Sequence, residues 1–322
     1  MKSMKKISIV IPVYNEAGNL ETLRNALLPL LDNKMYPAEL DWEVILIDDG
    51  SRDDSLTIMN RLSSGDSRFI SISLSRNFGK ESAMLAGLDY ASGNAVIIMD
   101  ADLQHPVATI PKMLELWEQG YDDVYGRRLS RDTDSWIRRK LSRAYYKILK
   151  RISDNYVLPD VGDFRLLSRS CVNALKNLRE TQRYSKGLFC WIGFRKAEVT
   201  FECNDRNAGK SSFSFRRLLN LAIEGITSST TAPLRIASIV GITTAVAALV
   251  YLIYVIVKTL IFGESVQGYP TIICLILFLG GIQLIALGII GEYISRIFNE
   301  TKSRPVYIIR SINGDTDTCI EK

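Results

Sequence analysis

Val96-Ile-Ile-Met-Asp100-Ala-Asp102-Leu-Gln104-His-Pro106 runs four apolar residues into two carboxylates one residue apart. An apolar run ending in an oxygen-rich turn reads as the end of a central strand, where residues two apart point the same way. Asp100 and Asp102, with the Gln104 carbonyl as a third oxygen, suit Mg²⁺ or Mn²⁺ better than zinc, since no thiol or imidazole cluster lies nearby. An ion held by so few protein oxygens needs phosphate oxygens to complete its shell. A polar turn after a strand has the same local pattern, so the neighbouring strands decide its meaning. His105, the one histidine in the chain, is read only as the residue preceding Pro106 in that turn.

Working outward, the chain opens with Ile7-Ser-Ile-Val-Ile-Pro12-Val-Tyr14-Asn15-Glu16, a β-branched run that ends in a turn. A helix over about residues 18–31 follows, with Leu20, Leu23, Leu27, Leu30 and Leu31 near helical spacing. Trp42-Glu-Val-Ile-Leu-Ile-Asp48-Asp49-Gly50-Ser51 is a second continuous apolar strand that finishes in carboxylates. Apolar runs without alternation fit parallel strands covered on both faces. A helix over about 53–63, a strand over 69–73, a helix near 81–91 and the strand 95–99 repeat the unit. That alternation predicts an α/β fold with a mostly parallel, doubly wound sheet.

Ligands of such sheets bind outside the carboxyl ends of the strands. Three strands here finish in polar or acidic turns, at residues 12–16, 48–51 and 100–102, which predicts one acidic crevice. An acidic crevice repels an anionic nucleotide unless a divalent cation bridges them. No G-x-x-x-x-G-K-[ST] and no G-x-G-x-x-G follows the first strand, which argues against a P-loop NTPase or a dinucleotide dehydrogenase.

Composition is uneven along the 322 residues: 47% are hydrophobic and 23% charged, with the apolar excess concentrated in residues 232–291. The net charge of +5, from 40 basic and 35 acidic residues, is too small to argue for nucleic acid as a partner. Five cysteines, odd in number and without a C-x-x-C pair, fit reduced thiols and no zinc site. The short run at 7–13 reads as a strand and not a signal peptide.

Residues 236–257 and 265–291 carry no charged side chain, and the second stretch is most apolar over its later part, so 236–257 and 269–290 are expected to be transmembrane helices. Arg216, Arg217 and Arg235 precede the pair and Arg296, Lys302 and Arg304 follow it, a bias that places both ends in the cytoplasm. Basic and aromatic residues at helical spacing over about 130–155, and a second amphipathic stretch over 213–231, are expected to lie on the membrane surface. The expected domains are thus a cytoplasmic catalytic domain (1–231), a membrane domain (232–291) and a cytoplasmic tail (292–322), polar from Ser311 onward.

Ile9-Val-Ile-Pro-Val-Tyr-Asn-Glu16, Ile47-Asp-Asp-Gly-Ser51, Leu74-Ser-Arg-Asn-Phe-Gly79 and Asp100-Ala-Asp-Leu-Gln104, in that order, resemble the family-two glycosyltransferases of GT-A fold. Asn77-Phe-Gly-Lys-Glu81, Gly162-Asp-Phe-Arg-Leu-Leu-Ser168 and the paired apolar segments resemble most closely the polyprenyl-phosphate branch, in particular the bactoprenol glucosyltransferases. The resemblance implies inverting transfer of a hexose from a nucleotide sugar, read as glucose from UDP-glucose, to undecaprenyl phosphate at a bacterial inner membrane, by a homo-oligomer, a tetramer in relatives. It implies donor contacts at Pro12, Tyr14, Glu16, Asp48, Asp49, Lys80 and Arg206, and a metal at Asp100, Asp102 and Gln104. Acceptor-phosphate contacts fall on Arg128, Arg138 and Ser142. Asp163 is the family's base beside the acceptor, although a phosphate monoester, with its second pKa near about 6, needs little deprotonation, so an orienting role is expected. Arg206-Asn-Ala-Gly-Lys-Ser-Ser212 departs from the family's R-x-x-G-x-S-K loop at Ser212. A different donor (GDP-mannose, UDP-galactose or an amino sugar) and a non-catalytic nucleotide-sugar-binding membrane protein stand as alternatives.

Overall fold

The computed structural model describes residues 4–36, 39–129, 161–181, 183–202, 232–262 and 268–316. They form two compact units, a sheet domain that includes residues 304–316 and a helix pair.

The first half of the sheet domain is built as its apolar runs predict. β1 (Lys5–Val13), β2 (Leu40–Asp48), β3 (Phe69–Leu74) and β4 (Ala95–Ile98) alternate with α1 (Ala17–Leu31), α2 (Ser55–Gly65) and α3 (Lys80–Tyr90). β1 pairs in parallel with both β2 and β4, and β2 in parallel with β3. Side chains of β1 alternate between two cores: Ile7, Ile9 and Ile11 pack with Leu20, Leu23 and Leu27 of α1, whereas Val10 packs with Ala83 and Ala86 of α3. Both faces of the strand are therefore buried, which is why its sequence shows no polar alternation. Small residues bring α3 close to the sheet: a Cβ on Gly87 would stand 2.2 Å from Val10 Cγ1 and 2.8 Å from Ile47 Cδ1. That close seat fixes the N-terminal end of α3, where Lys80 lies.

The second half adds α4 (Ile110–Glu118), β5 (Asp123–Arg128), β6 (Val161–Ser168), α5 (Arg169–Asn177), α6 (Ser185–Trp191) and β7 (Lys196–Phe201). β6 inserts antiparallel between β4 and β5, and β7 lies parallel to β5. The sheet reads β7-β5-β6-β4-β1-β2-β3-β8, with parallel pairing concentrated at its centre.

The polar tail expected from Ser311 is corrected at its start. β8 (Ile309–Ile312) closes the sheet antiparallel to β3, with Ile309 and Ser311 turned inward. Asn313 accepts the Ser71 amide, and Tyr307 donates to the buried Asp89 at 2.6 Å. Arg179 pairs with the same carboxylate, at 2.6 and 2.9 Å. A four-residue strand whose partner lies over 230 residues upstream leaves no periodic signal in its own sequence.

The helix unit consists of α7 (Ala232–Phe262, 31 residues) and α8 (Tyr269–Thr301, 33 residues), which pack on each other. Both extend past the segments expected from charge alone, 236–257 and 269–290. Large apolar side chains face outward on both, Ile242 at 64% and Leu284 at 72% exposure among them. Phe278–Thr301 is long and apolar enough to cross a membrane by length and composition. The expected surface stretches over 130–155 and 213–231, and with them Arg138, Ser142 and Arg206, lie outside the described residues.

Candidate active site

β4, β1 and β2 are neighbours in the sheet, so the three polar turns that follow them meet at one edge. The order reverses at β1, whose chain neighbour β2 lies on one side and β4 on the other, and such a switch point opens a crevice at the carboxyl ends. Backbone groups tie the first two turns together. Asn15 N–H donates to Ser51 Oγ at 3.0 Å, Arg52 N–H to Asn15 Oδ1 at 2.8 Å, and Glu16 N–H to Ser55 Oγ at 2.9 Å. Tyr14 stands exposed at the rim, with Pro12 and Glu16 partly buried beneath it.

Asp48 and Asp49, both expected on the donor, are buried and turned to the protein. Asp48 accepts from Ser51 N–H at 3.0 Å and Ser73 Oγ at 3.2 Å. Asp49 accepts the Phe78 amide at 2.7 Å and the Gly79 amide on both carboxylate oxygens. Burial raises its carboxyl above the ordinary range and those amides pull it back, with Asp48 adding to the rise. The geometry makes Asp49 the brace of the 77–79 turn that leads into α3. Gly50 lets that turn close: its φ is +69°, and a Cβ there would meet Asn77 N at 2.6 Å.

The Asp100–Pro106 turn is held by its histidine, read from sequence only as the residue before Pro106. His105 Nδ1 accepts the Asp100 amide at 3.1 Å, and its ring stacks on Phe164 at 4.7 Å, with Phe201 edge-on at 5.8 Å. Burial lowers the imidazole's pKa, which keeps it the neutral acceptor this bond requires. Leu103 takes a positive φ of 60°, costly for a branched side chain, and the Gln104 amide donates to Asp102 Oδ1 at 3.1 Å. His105→Phe keeps the stack and removes the acceptor, leaving the Asp100 amide unsatisfied. A stability loss of about 1–3 kcal/mol and a drop in transfer are expected. Melting curves and rates measured together check both.

Asp163 reaches the same place from β6, where period-two alternation puts Asp163 and Arg165 on one face and Phe164 on the other. Lys80 Nζ lies 2.6 Å from Asp100 Oδ1 and 2.7 Å from Asp163 Oδ2, joining the acidic turn to β6. Burial opposes the charge on Asp163, but Lys80, Lys186 and Arg165 hold its carboxyl down to about 2. Burial likewise opposes the charge on Lys80, and Asp100 and Asp163 outweigh it, holding the ammonium above the ordinary lysine value. Asp163 Oδ1 is buried and has no hydrogen-bond partner among the described residues. Behind it, Glu81 accepts from Ser185 N–H and Oγ, seating α6 and Lys186 against α3.

Arg128, expected on the acceptor, stands exposed at the end of β5. Among the described residues no group of three or more His, Cys, Asp or Glu forms a metal cage. Two part-exposed carboxylates on one turn instead fit a hard ion that keeps waters and takes substrate phosphates, the habit of Mg²⁺.

The profile for glycosyl transferase family 2 matches residues 8–175, the span that contains every turn described above, and the profile for the GtrB C-terminal hairpin matches 232–297. The chain belongs to glycosyl transferase family 2. Its α/β fold with a mostly parallel sheet is the GT-A fold that the motifs implied. The bactoprenol glucosyl transferase of Shigella phage SfX is 42% identical over 95% of this chain and 99% of its own length. An uncharacterized glycosyltransferase of Synechocystis is 41% identical over 96% of each chain. The crystal structure of glucosyl-3-phosphoglycerate synthase from Mycobacterium tuberculosis with Mn²⁺, UDP-glucose and phosphoglyceric acid is 22% identical, covering 70% of this chain and 78% of that one, with a TM-score of 0.45. The family-two glycosyltransferase described here thus resembles bactoprenol glucosyl transferases along nearly its whole length, hairpin included.

Proposed function

We propose that the protein moves glucose from UDP-glucose to the phosphate of undecaprenyl phosphate, with inversion at the anomeric carbon. The observation that supports this most is the near full-length identity to bactoprenol glucosyl transferases, which spans both the acidic crevice and the C-terminal hairpin. In the reaction a phosphate oxygen of the lipid bonds to the sugar's C1, the bond from C1 to the donor diphosphate breaks, and the nucleoside diphosphate leaves with that electron pair.

Asp100 and Asp102, with Gln104, are the residues that would hold Mg²⁺ or Mn²⁺, whose Lewis acidity disperses charge on the departing diphosphate. The β1 and β2 turns, with Pro12, Tyr14, Glu16, Asp48 and Asp49, floor the nucleoside side, while Arg206 contributes from outside the described residues. Arg128, Arg138 and Ser142 take the acceptor phosphate, a role suited to guanidinium forks. Asp163 offers its Oδ1, which has no partner among the described residues, to a substrate hydroxyl or to the proton of a monoprotonated phosphate. α7 and α8 span the membrane as a hairpin, with both chain ends in the cytoplasm.

Asp163 is ionised far below neutrality, so its protonation does not limit turnover between pH 5 and 8. The acceptor phosphate, with its second ionisation near about 6, does. Its dianion is the better nucleophile, so the rate is expected to fall about tenfold per pH unit well below that value. A pH–rate profile that stays flat down to pH 5 contradicts this. For the sugar, membranes carrying the protein are incubated with undecaprenyl phosphate and a panel of labelled nucleotide sugars. Label from UDP-glucose is expected in the lipid extract. Label from GDP-mannose or UDP-galactose in its place would reassign the donor.

A further inference from the structure

Lys80 lies between two carboxylates that serve different ends of the reaction. Its ammonium is 2.6 Å from Asp100 Oδ1 on the β4 turn and 2.7 Å from Asp163 Oδ2 on β6, and among the described residues no other side chain is ion-paired to either. The position is fixed from three sides. Asp49 takes the amides of Phe78 and Gly79 immediately before Lys80. Gly87 lets α3 sit hard on Val10 and Ile47. Glu81, the next residue, is bonded to Ser185 of α6. The lysine stem is thus aimed at the acidic turn by backbone that has little freedom to move, while its flexible end can swing. A divalent cation on Asp100 and an ammonium on the same carboxylate repel each other at such separations, so the two compete for Asp100. A diphosphate arriving with the cation offers the displaced ammonium a new anionic partner within reach.

We propose that Lys80 is the resident counter-ion of the acidic turn, and that binding of a cation with a nucleoside diphosphate transfers its ammonium from Asp100 to the diphosphate, so that cation and nucleotide bind with positive linkage. This rests on the reading of Asp100 and Asp102 as the cation ligands. Lys80 is then a positioning residue with two settings. In one it screens Asp100 from Asp163, and in the other it keeps Asp163 company while neutralising the leaving group. The acidic crevice consequently binds a lone cation poorly and a cation–nucleotide pair well.

The test is Mn²⁺ titration of the purified full-length protein in detergent, read by the spin-resonance signal of free Mn²⁺, with and without saturating UDP. The wild type is expected to bind Mn²⁺ about tenfold or more tightly with UDP than without it, within the usual span of coupling between sites. Lys80→Met is expected to bind Mn²⁺ alone about tenfold more tightly than wild type and to lose most of the gain from UDP. Lys186→Met removes a cation that acts on Asp163 and, among the described residues, makes no ion pair with Asp100, and is expected to leave Mn²⁺ binding within about threefold of wild type. Melting curves confirm that each variant is folded, and Lys80→Gln replaces the methionine variant if that one is not. Unchanged or weaker Mn²⁺ binding by the Lys80 variants, or an equal gain in Lys186→Met, overturns the competition while leaving the cation site standing. Absence of Mn²⁺ binding by wild type with UDP overturns both.

Discussion

Asp102→Asn is expected to abolish sugar transfer, by on the order of a thousandfold or more, since in the proposed mechanism it removes a charged ligand from a Lewis acid that would be worth several kcal/mol to the departing diphosphate. The fold should be untouched. Asp102 is part-exposed on a surface turn, and it accepts the Gln104 amide at 3.1 Å, a bond that an asparagine oxygen also makes. The melting temperature in detergent is therefore expected to stay within about 1 °C of wild type, as for a surface substitution that keeps its hydrogen bond. Mn²⁺ binding in the presence of UDP should weaken in parallel with activity. Near-normal transfer by the variant would remove Asp102 from the site. Loss of transfer together with a large fall in melting temperature would mean that the turn itself had failed.

Asp123→Asn has the opposite profile, a large loss of stability at a carboxylate fully buried between strands. Asp123 is fully buried on β5, accepts both contacts from Arg165 of β6 at 3.1 and 3.2 Å, and takes Lys196 of β7 at 2.9 Å. Arg165 is itself 3% exposed and lies 3.6 Å over the Phe189 ring. Three strands are joined at this carboxylate, and β6 carries Asp163 two residues from the joint. The neutral amide leaves a buried guanidinium without a counter-charge, which costs about 3–5 kcal/mol. For a domain of this size that is a fall of roughly 10 °C in melting temperature. Replacing both partners, Asp123→Asn with Arg165→Met, is expected to recover part of the loss, because the uncompensated charge is then gone. A double variant no better than the single one would show that the carboxylate acts through packing and not through charge.

Much of the sheet was legible because burial on both faces writes itself into sequence as unbroken apolar runs. Ile9–Ile11 and Val44–Ile47 could hardly be anything else, and the turns that close those strands were visible as abrupt changes to Asp, Asn and Gly. The meeting of Asp100 and Asp102 with Asp163 came from motif resemblance, and the structure brings Asp100 and Asp163 onto one ammonium. What stayed hidden depends on partners far away in the chain. The hold of His105 on the Asp100 amide needs Phe164 and Phe201 as its walls, and neither is near it in sequence. The part Asp49 plays as a brace of the 77–79 turn rests on two backbone amides that carry no residue-type signal. The antiparallel insertion of β6 and the closing strand β8 are pairings of short segments, whose order no local periodicity fixes. A dense cluster such as Asp123 with Arg165 and Lys196 could have been suspected only from charged residues inside otherwise apolar strands.

The most direct measurement is a reconstitution of the purified full-length protein with UDP-glucose, undecaprenyl phosphate and Mg²⁺, with products followed by mass spectrometry of the lipid and by assay of free UDP. Transfer to the lipid phosphate predicts a lipid heavier by one hexosyl unit, linked through a single phosphate, and one UDP released for each such lipid. Release of UDP with no hexosylated lipid, or a lipid carrying a diphosphate between chain and sugar, would contradict the account.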